Sequence, residues 1–213
     1  MKDFFRGEGL MGDQNNYSEE EIVTEIPESR IKIGDKIESL EDVTPKKALK
    51  ELKGILNDYE DYLTVPNRRK SDLAYRSYIS EYIYIVNDMI KEIHALLIEK
   101  QQMSTWAIAE RLINEFGTYA KEVMKGEYGF TTFFDNPKLL EMDISQLYII
   151  DYDLIRVLKT MKERTSAFMK MVQLNYLEDI DLWFETLDRI IGRTIRLHED
   201  RTKLIGSYER ISY

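Results

Sequence analysis

Apolar residues recur at alternating intervals of three and four residues in this chain, most clearly between residues 71 and 101. There the repeat is carried by Tyr75, Ile79, Tyr82, Val86, Met89, Ile93 and Leu96. This spacing is the heptad pattern of packed α-helices. A second apolar set, formed by Ile83, Ile90 and Leu97, widens the same face. We therefore expect this helix to contact two neighbouring helices.

The same reasoning predicts further helices before and after this one. Thr44 followed by Pro45 marks a helix start, because threonine caps free N–H groups and proline suits the first turn. This first helix is expected to end near Leu63, before Pro66 breaks the pattern and a second helix begins near Ser71. The remaining apolar repeats predict helices over 104–125, from the cap at Asp143 to about 174, and from about 178 to 208.

The turn between the last two helices is signalled only by Asn175 and the Glu178–Asp179 pair. One unbroken helix, or a break at Gly192, is the alternative. A turn at 174–178 makes the two helices an antiparallel hairpin in which Asp151 faces Arg201. Both are charged exceptions on apolar seams, so we predict a buried structural pair that specifies the register of the hairpin.

The predicted fold is all-α, an elongated antiparallel bundle of four to five long helices over residues 44–213. A mostly non-helical acidic N-terminal arm, residues 1–43, precedes it, with a short helical turn expected after Ser18 and a short strand over 30–37. The arm holds twelve of the chain's 39 Asp and Glu but five of its 30 Lys and Arg. The acidity of the protein is thus concentrated in the arm.

The amino-acid composition further limits the kinds of site and the location that the protein can have. The chain has no cysteine and two histidines, which removes disulfides, thiolate metal sites and cysteine nucleophiles. No stretch approaches the roughly 18 consecutive apolar residues of a membrane span, and the first residues lack the apolar core of a signal peptide. We expect a cytoplasmic protein that does not enter a membrane.

Catalytic, cofactor-binding and metal-binding motifs are not assigned. Residues 7–12 spell GxGxxG, but neither a strand before them nor a helix after them is predicted, as phosphate binding would require. His94 and His198 lie on different predicted helices, and neither belongs to a Glu-x-x-His motif. We therefore expect a protein without enzymatic activity or a cofactor, although a bundle whose metal is held by carboxylates alone stays open as a third reading.

A basic cluster, Arg68, Arg69 and Lys70, stands just before the predicted helix start at Ser71. The helix dipole disfavours positive charge there, which favours a phosphate or an acidic partner as the reason for the cluster. A solvated run of charges is the structural alternative. The segment 104–123 weakly resembles a helix-turn-helix, although a continuous helix containing Gly117 is the preferred interpretation.

Four aromatic residues lie within the predicted loop 126–137, namely Tyr128, Phe130, Phe133 and Phe134. Aromatic side chains of this kind anchor protein interfaces. They also serve as a plug over the end of a helical bundle. Exposure of Phe133 and Phe134 would favour the interface, and burial within the same chain would favour the plug.

Three functions are compatible with these patterns. The leading hypothesis is a non-enzymatic interaction or scaffold protein that self-associates or docks on a protein partner through its long helices, its acidic arm and its aromatic loop. The alternative is a nucleic-acid-binding protein that uses Arg68, Arg69, Lys70 and the segment 104–123. A carboxylate-metal helical enzyme is the third.

Overall fold

The computed structural model describes residues 43–137, 139 and 141–208. Within these ranges the chain forms five α-helices and no strand. The helices are α1 (Pro45–Ile55), α2 (Val65–Glu99), α3 (Trp106–Lys125), α4 (Glu141–Gln173) and α5 (Ile180–Gly206), with a short 3₁₀ turn at Met103–Thr105. The all-α prediction is confirmed. The helical turn, the strand and the GxGxxG segment of the arm lie outside the described residues.

Two predicted helix boundaries are wrong by several residues, both around Pro66. Helix α1 ends at Ile55 rather than near Leu63, and α2 begins at Val65 rather than Ser71. Pro66 lies in the first turn of α2, where its missing N–H costs no hydrogen bond. The proline therefore starts a helix instead of interrupting one. Helix α4 similarly begins at Glu141, two residues before the predicted cap.

The predicted turn between α4 and α5 is confirmed, and Asn175 supports it with a left-handed backbone (φ 65°). Gly192 lies inside α5, so a break there is wrong. Helix α3 is continuous through Gly117, which rules out the helix-turn-helix reading of this segment. A Cβ atom at Gly117 would lie 3.1 Å from Asn87 Nδ2, so the glycine allows α2 and α3 to approach closely.

Four long helices form the bundle, and α2 and α5 each pack against both α3 and α4. Arg111 on α3 reaches Asp188 on α5, and further along the same helices Tyr119 reaches Thr194. These contacts show that α3 and α5 run parallel, whereas chain neighbours run antiparallel. The connection from α3 to α4 therefore crosses one end of the bundle. Helix α1 packs on the outside, against α4.

The buried face of α2 is centred differently from the predicted seam. Its fully buried apolar residues are Tyr75, Ile79, Ile83, Val86, Ile90, Ile93 and Leu97. Tyr82, Met89 and Leu96 are half-buried at its border. The shift follows from packing against two helices, α3 and α4, because the middle of the combined face then becomes the driest stripe. The expectation of two neighbours is confirmed.

Candidate functional site

The predicted pair of Asp151 on α4 and Arg201 on α5 lies at the centre of the bundle end that the α3–α4 connection crosses. Arg201 Nε donates a hydrogen bond to Asp151 Oδ1 over 2.6 Å. Both side chains are completely buried. The structure thus brings together two charges that stand fifty positions apart in the sequence, and their contact is shielded from solvent.

The remaining N–H groups of Arg201 contact residues of three further segments: the α1–α2 loop, helix α2 and the α3–α4 loop. Its Nη2 contacts Tyr62 Oη at 2.9 Å and Asp72 Oδ1 at 3.0 Å. Its Nη1 donates to Tyr128 Oη at 2.6 Å. The guanidinium also stacks over the ring of Tyr75, with Cζ 3.9 Å from the ring centroid. We call Arg201 and these partners, with Asp151, Tyr59 and Arg76, the Arg201 cluster.

The phenol groups of Tyr62 and Tyr128 both accept and donate hydrogen bonds. Tyr62 Oη accepts from Arg201 and donates to Asp151 Oδ2 at 2.6 Å, which also accepts from Tyr59 Oη at 3.0 Å. Tyr128 Oη donates to Asp72 Oδ1 at 2.6 Å. Arg76 Nε completes the network on Asp72 Oδ2 at 2.8 Å. Two carboxylates and two guanidinium groups therefore balance in charge, as buried ions require.

The cluster shifts the pKa values of its members in opposite directions. Burial raises the pKa of Asp151, although Arg201 and the tyrosine hydroxyls oppose the shift. Burial by itself would also raise the pKa of Asp72, but the charges of Arg201 and Arg76 and the hydrogen bond from Tyr128 hold that pKa below its ordinary value. Burial lowers the pKa of nearby His198 to about 4, with help from the charge of Arg201. The hydrogen bonds and ion pairs of the cluster hold α2, α4, α5 and the loop containing Tyr128 together.

The loop held by this cluster is the predicted aromatic segment 126–137. Tyr128 ties its first part to α2 and α5 through Asp72 and Arg201. Further along, the Thr131 hydroxyl donates to Ile205 O and the Thr132 N–H donates to Tyr208 O. The loop is therefore fastened to the end of α5 by backbone and side-chain hydrogen bonds from two consecutive residues, Thr131 and Thr132.

Most of the predicted aromatic interface is buried, and that part of the prediction is wrong. Phe133 has no exposed surface, and Phe134 is 9% exposed. Phe133 packs against Tyr62 and Tyr208, with ring centroids 5.7 Å and 5.4 Å apart, while Tyr128 is committed to the Arg201 cluster. Phe133, Phe134 and Tyr128 form the plug, the second interpretation of the sequence, because burial within the chain satisfies them without a partner.

Phe130 is the exception. Its side chain is fully exposed, at 107% of the reference area. It follows Gly129, which has a left-handed backbone (φ 68°), a conformation that glycine adopts at little cost. The anchored residues Tyr128 and Thr131 flank this pair. Phe130 is thus held outward at the tip of a loop whose two sides are fixed.

The basic cluster does not form the free patch that the nucleic-acid hypothesis needs. Arg68 is 1% exposed, and its guanidinium donates to the carbonyl oxygens of Tyr62, Leu63, Phe133 and Asn136. Arg69 pairs with Asp135 at 2.8 Å. Lys70 lies 3.3 Å from Asp58 and 3.5 Å from Glu60. Arg68 joins two loops to α2 instead of meeting a phosphate.

Sequence reasoning missed Asp72, Tyr59 and Tyr62 as members of the buried site. A signal for Asp72 was present, since it stands three residues before Tyr75 and seven before Ile79, on the same helical face. Extending that face back by one further turn, toward Pro66, also reaches Arg68. The two tyrosines gave no such signal, because the segment between α1 and α2 is a loop whose path depends on α4.

Neither a metal-binding cluster nor a membrane span is found among the described residues. No group of three or more His, Cys, Asp or Glu there could hold a metal ion. No described helix is both long and apolar enough to cross a membrane. Two buried imidazole nitrogens in this part of the chain, His94 Nε2 and His198 Nδ1, lack a hydrogen-bond partner.

Comparison with known proteins gives no match to a family model, to a curated protein or to a solved structure. Function is therefore inferred from the geometry of the loop and of the charged groups.

Proposed function

We propose that this protein is a non-enzymatic interaction protein that binds a protein partner, or a second copy of itself, through the loop 126–137. The proposal rests on the exposure of Phe130, which is fully exposed on a loop that is anchored on both sides. A large aromatic side chain left in water gains free energy when a partner covers it. Phe130 is the anchor in this proposal.

The anchoring of the loop supports the same function. Binding by a mobile loop loses part of its free energy to ordering that loop, whereas a prepositioned anchor avoids much of this loss. Tyr128 and Thr131 hold the loop from within the bundle on either side of Phe130. The Arg201 cluster then has a positioning role, since it fixes the tyrosine two residues before the anchor.

The experiment replaces Phe130 with a photo-crosslinking phenylalanine analogue in the full chain. We expect discrete covalent adducts at position 130, either to a second copy or to a small set of proteins. The matched control carries the analogue at Leu182, an apolar side chain on α5 that is 43% exposed. Adducts no stronger at 130 than at 182, together with a strictly monomeric protein in light scattering, would contradict the proposal.

The nucleic-acid function is not proposed for residues 68–70. Arg68 is enclosed by carbonyl oxygens, while Arg69 and Lys70 face carboxylates of the same chain. Phosphate groups would have to displace these carboxylates.

A further inference from the structure

Helix α1 carries four lysines, Lys46, Lys47, Lys50 and Lys53, which we call the lysine face. All four are exposed. None of their ammonium groups forms an ion pair with a carboxylate in the part of the chain that the structure describes. Elsewhere lysines do find partners, as Lys70 and Lys91 illustrate. Within the described residues, the lysine face is thus a concentration of positive charge that no carboxylate neutralises.

The orientation of the lysine face is fixed by the opposite side of α1. Ala48 and Leu52 are completely buried there, where α1 packs against α4. At the start of the helix, Thr44 Oγ1 accepts a hydrogen bond from the Lys47 N–H over 3.3 Å. The lysines therefore project from a docked helix. Lys46 and Lys47 do so at a cost, because the first turn contains no acidic residue and the helix dipole there disfavours cations.

The neighbouring half of α4 adds charge of the same sign. Tyr59 reaches Asp151 and Tyr62 reaches Tyr148, so the chain leaving α1 runs against the direction of α4. This places α1 beside the half of α4 that follows Asp151. Residues 45–55 and 154–173 together hold nine of the chain's 30 Lys and Arg but two of its 39 Asp and Glu. These two segments are basic, whereas the chain as a whole is acidic.

We infer that the lysine face binds an acidic segment of a partner protein. Lys46, Lys50 and Lys53 follow one another at about 6 Å and 4.5 Å along the helix axis. Alternate side chains of an extended peptide lie about 6.5 Å apart on one side, so an extended run of Asp or Glu presents carboxylates at an interval close to the first of these spacings, and the flexible lysine side chains accommodate the second. The site is separate from Phe130, and its partner is defined by charge.

An acidic peptide fits this surface better than a nucleic acid does. The whole chain carries a net charge of −9, which repels a long polyanion that extends beyond the basic area. A short acidic segment stays within the local field, since charges further away than about 8 Å are screened at physiological salt. The exposed cations of α1 are all lysines, and none offers the planar two-pronged geometry with which arginine recognises phosphate.

The experiment measures fluorescence anisotropy of a labelled decaglutamate peptide with the full chain at low salt. We expect binding that weakens as salt is added. The variant combining Lys46→Gln, Lys50→Gln and Lys53→Gln should weaken it about tenfold, since exposed ion pairs contribute modestly but additively. The matched control combines Lys121→Gln, Lys125→Gln and Lys203→Gln, three exposed lysines elsewhere. It changes the net charge equally and should leave binding within about twofold.

Three results would overturn the inference. The first is no binding of decaglutamate by a protein whose circular dichroism shows it is folded. The second is equal weakening in the two triple variants, which would mean that only net charge matters. The third is tighter, lysine-dependent binding of a single-stranded oligothymidylate or of phosphatidylserine vesicles, which would assign the surface to phosphate-bearing partners instead.

Discussion

The Arg201 cluster and the lysine face are both rich in charged side chains, but these side chains have opposite environments. In the cluster Arg201, Asp151 and Asp72 are buried, and each of these three ions meets an opposite charge. On the lysine face the charges are exposed and lie on one side of a helix whose other side is buried. One region uses its charge inside the fold, and the other presents it to solvent.

This difference separates charges that specify structure from charges available for binding. A buried ion needs partners from several segments, so it fixes how those segments meet. An exposed lysine imposes no such requirement and contributes little to stability. Substitutions in the two regions should therefore differ first in their effect on folding.

The largest effect is expected for Arg201→Met. It leaves Asp151 buried without a counter-charge, and we expect the free energy of unfolding to fall by about 3–5 kcal/mol. Chemical denaturation measures this directly. The matched control is Arg111→Met on α3, whose partner Asp188 lies 3.0 Å away, with the two side chains 50% and 43% exposed. A loss of about 1 kcal/mol or less is expected there. An equal decrease in the free energy of unfolding in the two variants would contradict the distinction between charges that specify the structure and charges that are available for binding.

The next effect is a pH dependence that originates beside the cluster. Because the pKa of His198 falls from 6.5 to about 4 in the folded protein, the unfolded chain binds more protons between these values. Stability should therefore decline as the pH is lowered through this window, by about 3 kcal/mol at most from this group. His198→Leu should reduce the decline between pH 7 and pH 4, measured by urea denaturation at each pH.

The control for this prediction is Thr194→Val, one turn before His198 on α5, which removes a buried hydroxyl but no titratable group and should retain the wild-type pH dependence. A His198→Leu variant with the same decline as the wild type would show that other groups near the cluster govern acid stability.

The smallest effect on folding is expected on the lysine face. The triple substitution of Lys46, Lys50 and Lys53 by Gln should change the free energy of unfolding by no more than about 0.5 kcal/mol per site, because no described carboxylate loses a partner. Thermal unfolding followed by circular dichroism measures the change. A loss as large as that of Arg201→Met would mean that these lysines support the fold, and the comparison of the two regions would fail.

The hairpin of α4 and α5 illustrates what was predictable. Its apolar repeat, its turn near Asn175 and the charged exceptions at Asp151 and Arg201 are all visible in the sequence, since each follows from helical periodicity. The rest of the Arg201 cluster was not predictable in this way. Tyr59, Tyr62 and Tyr128 lie in loops, where no periodicity indicates which side chains turn inward.

Arg68 and Phe133 are residues whose local sequence indicated a binding surface, although both are buried in the structure. By composition they belong to a basic run and an aromatic loop, both typical of binding surfaces. The structure buries them together, with Arg68 donating to Phe133 O over 2.8 Å, because the loop crosses the bundle end where α2 begins. Local sequence carries no information about that crossing.

By itself, the sequence determined the helical class of the described chain, because apolar spacing and turn residues act over a few positions. Only the tertiary structure decided which charged and aromatic side chains are used internally. Burial depends on contacts between segments far apart in the chain, so Arg201 and Arg68 acquire partners while Phe130 and the lysine face are left to solvent.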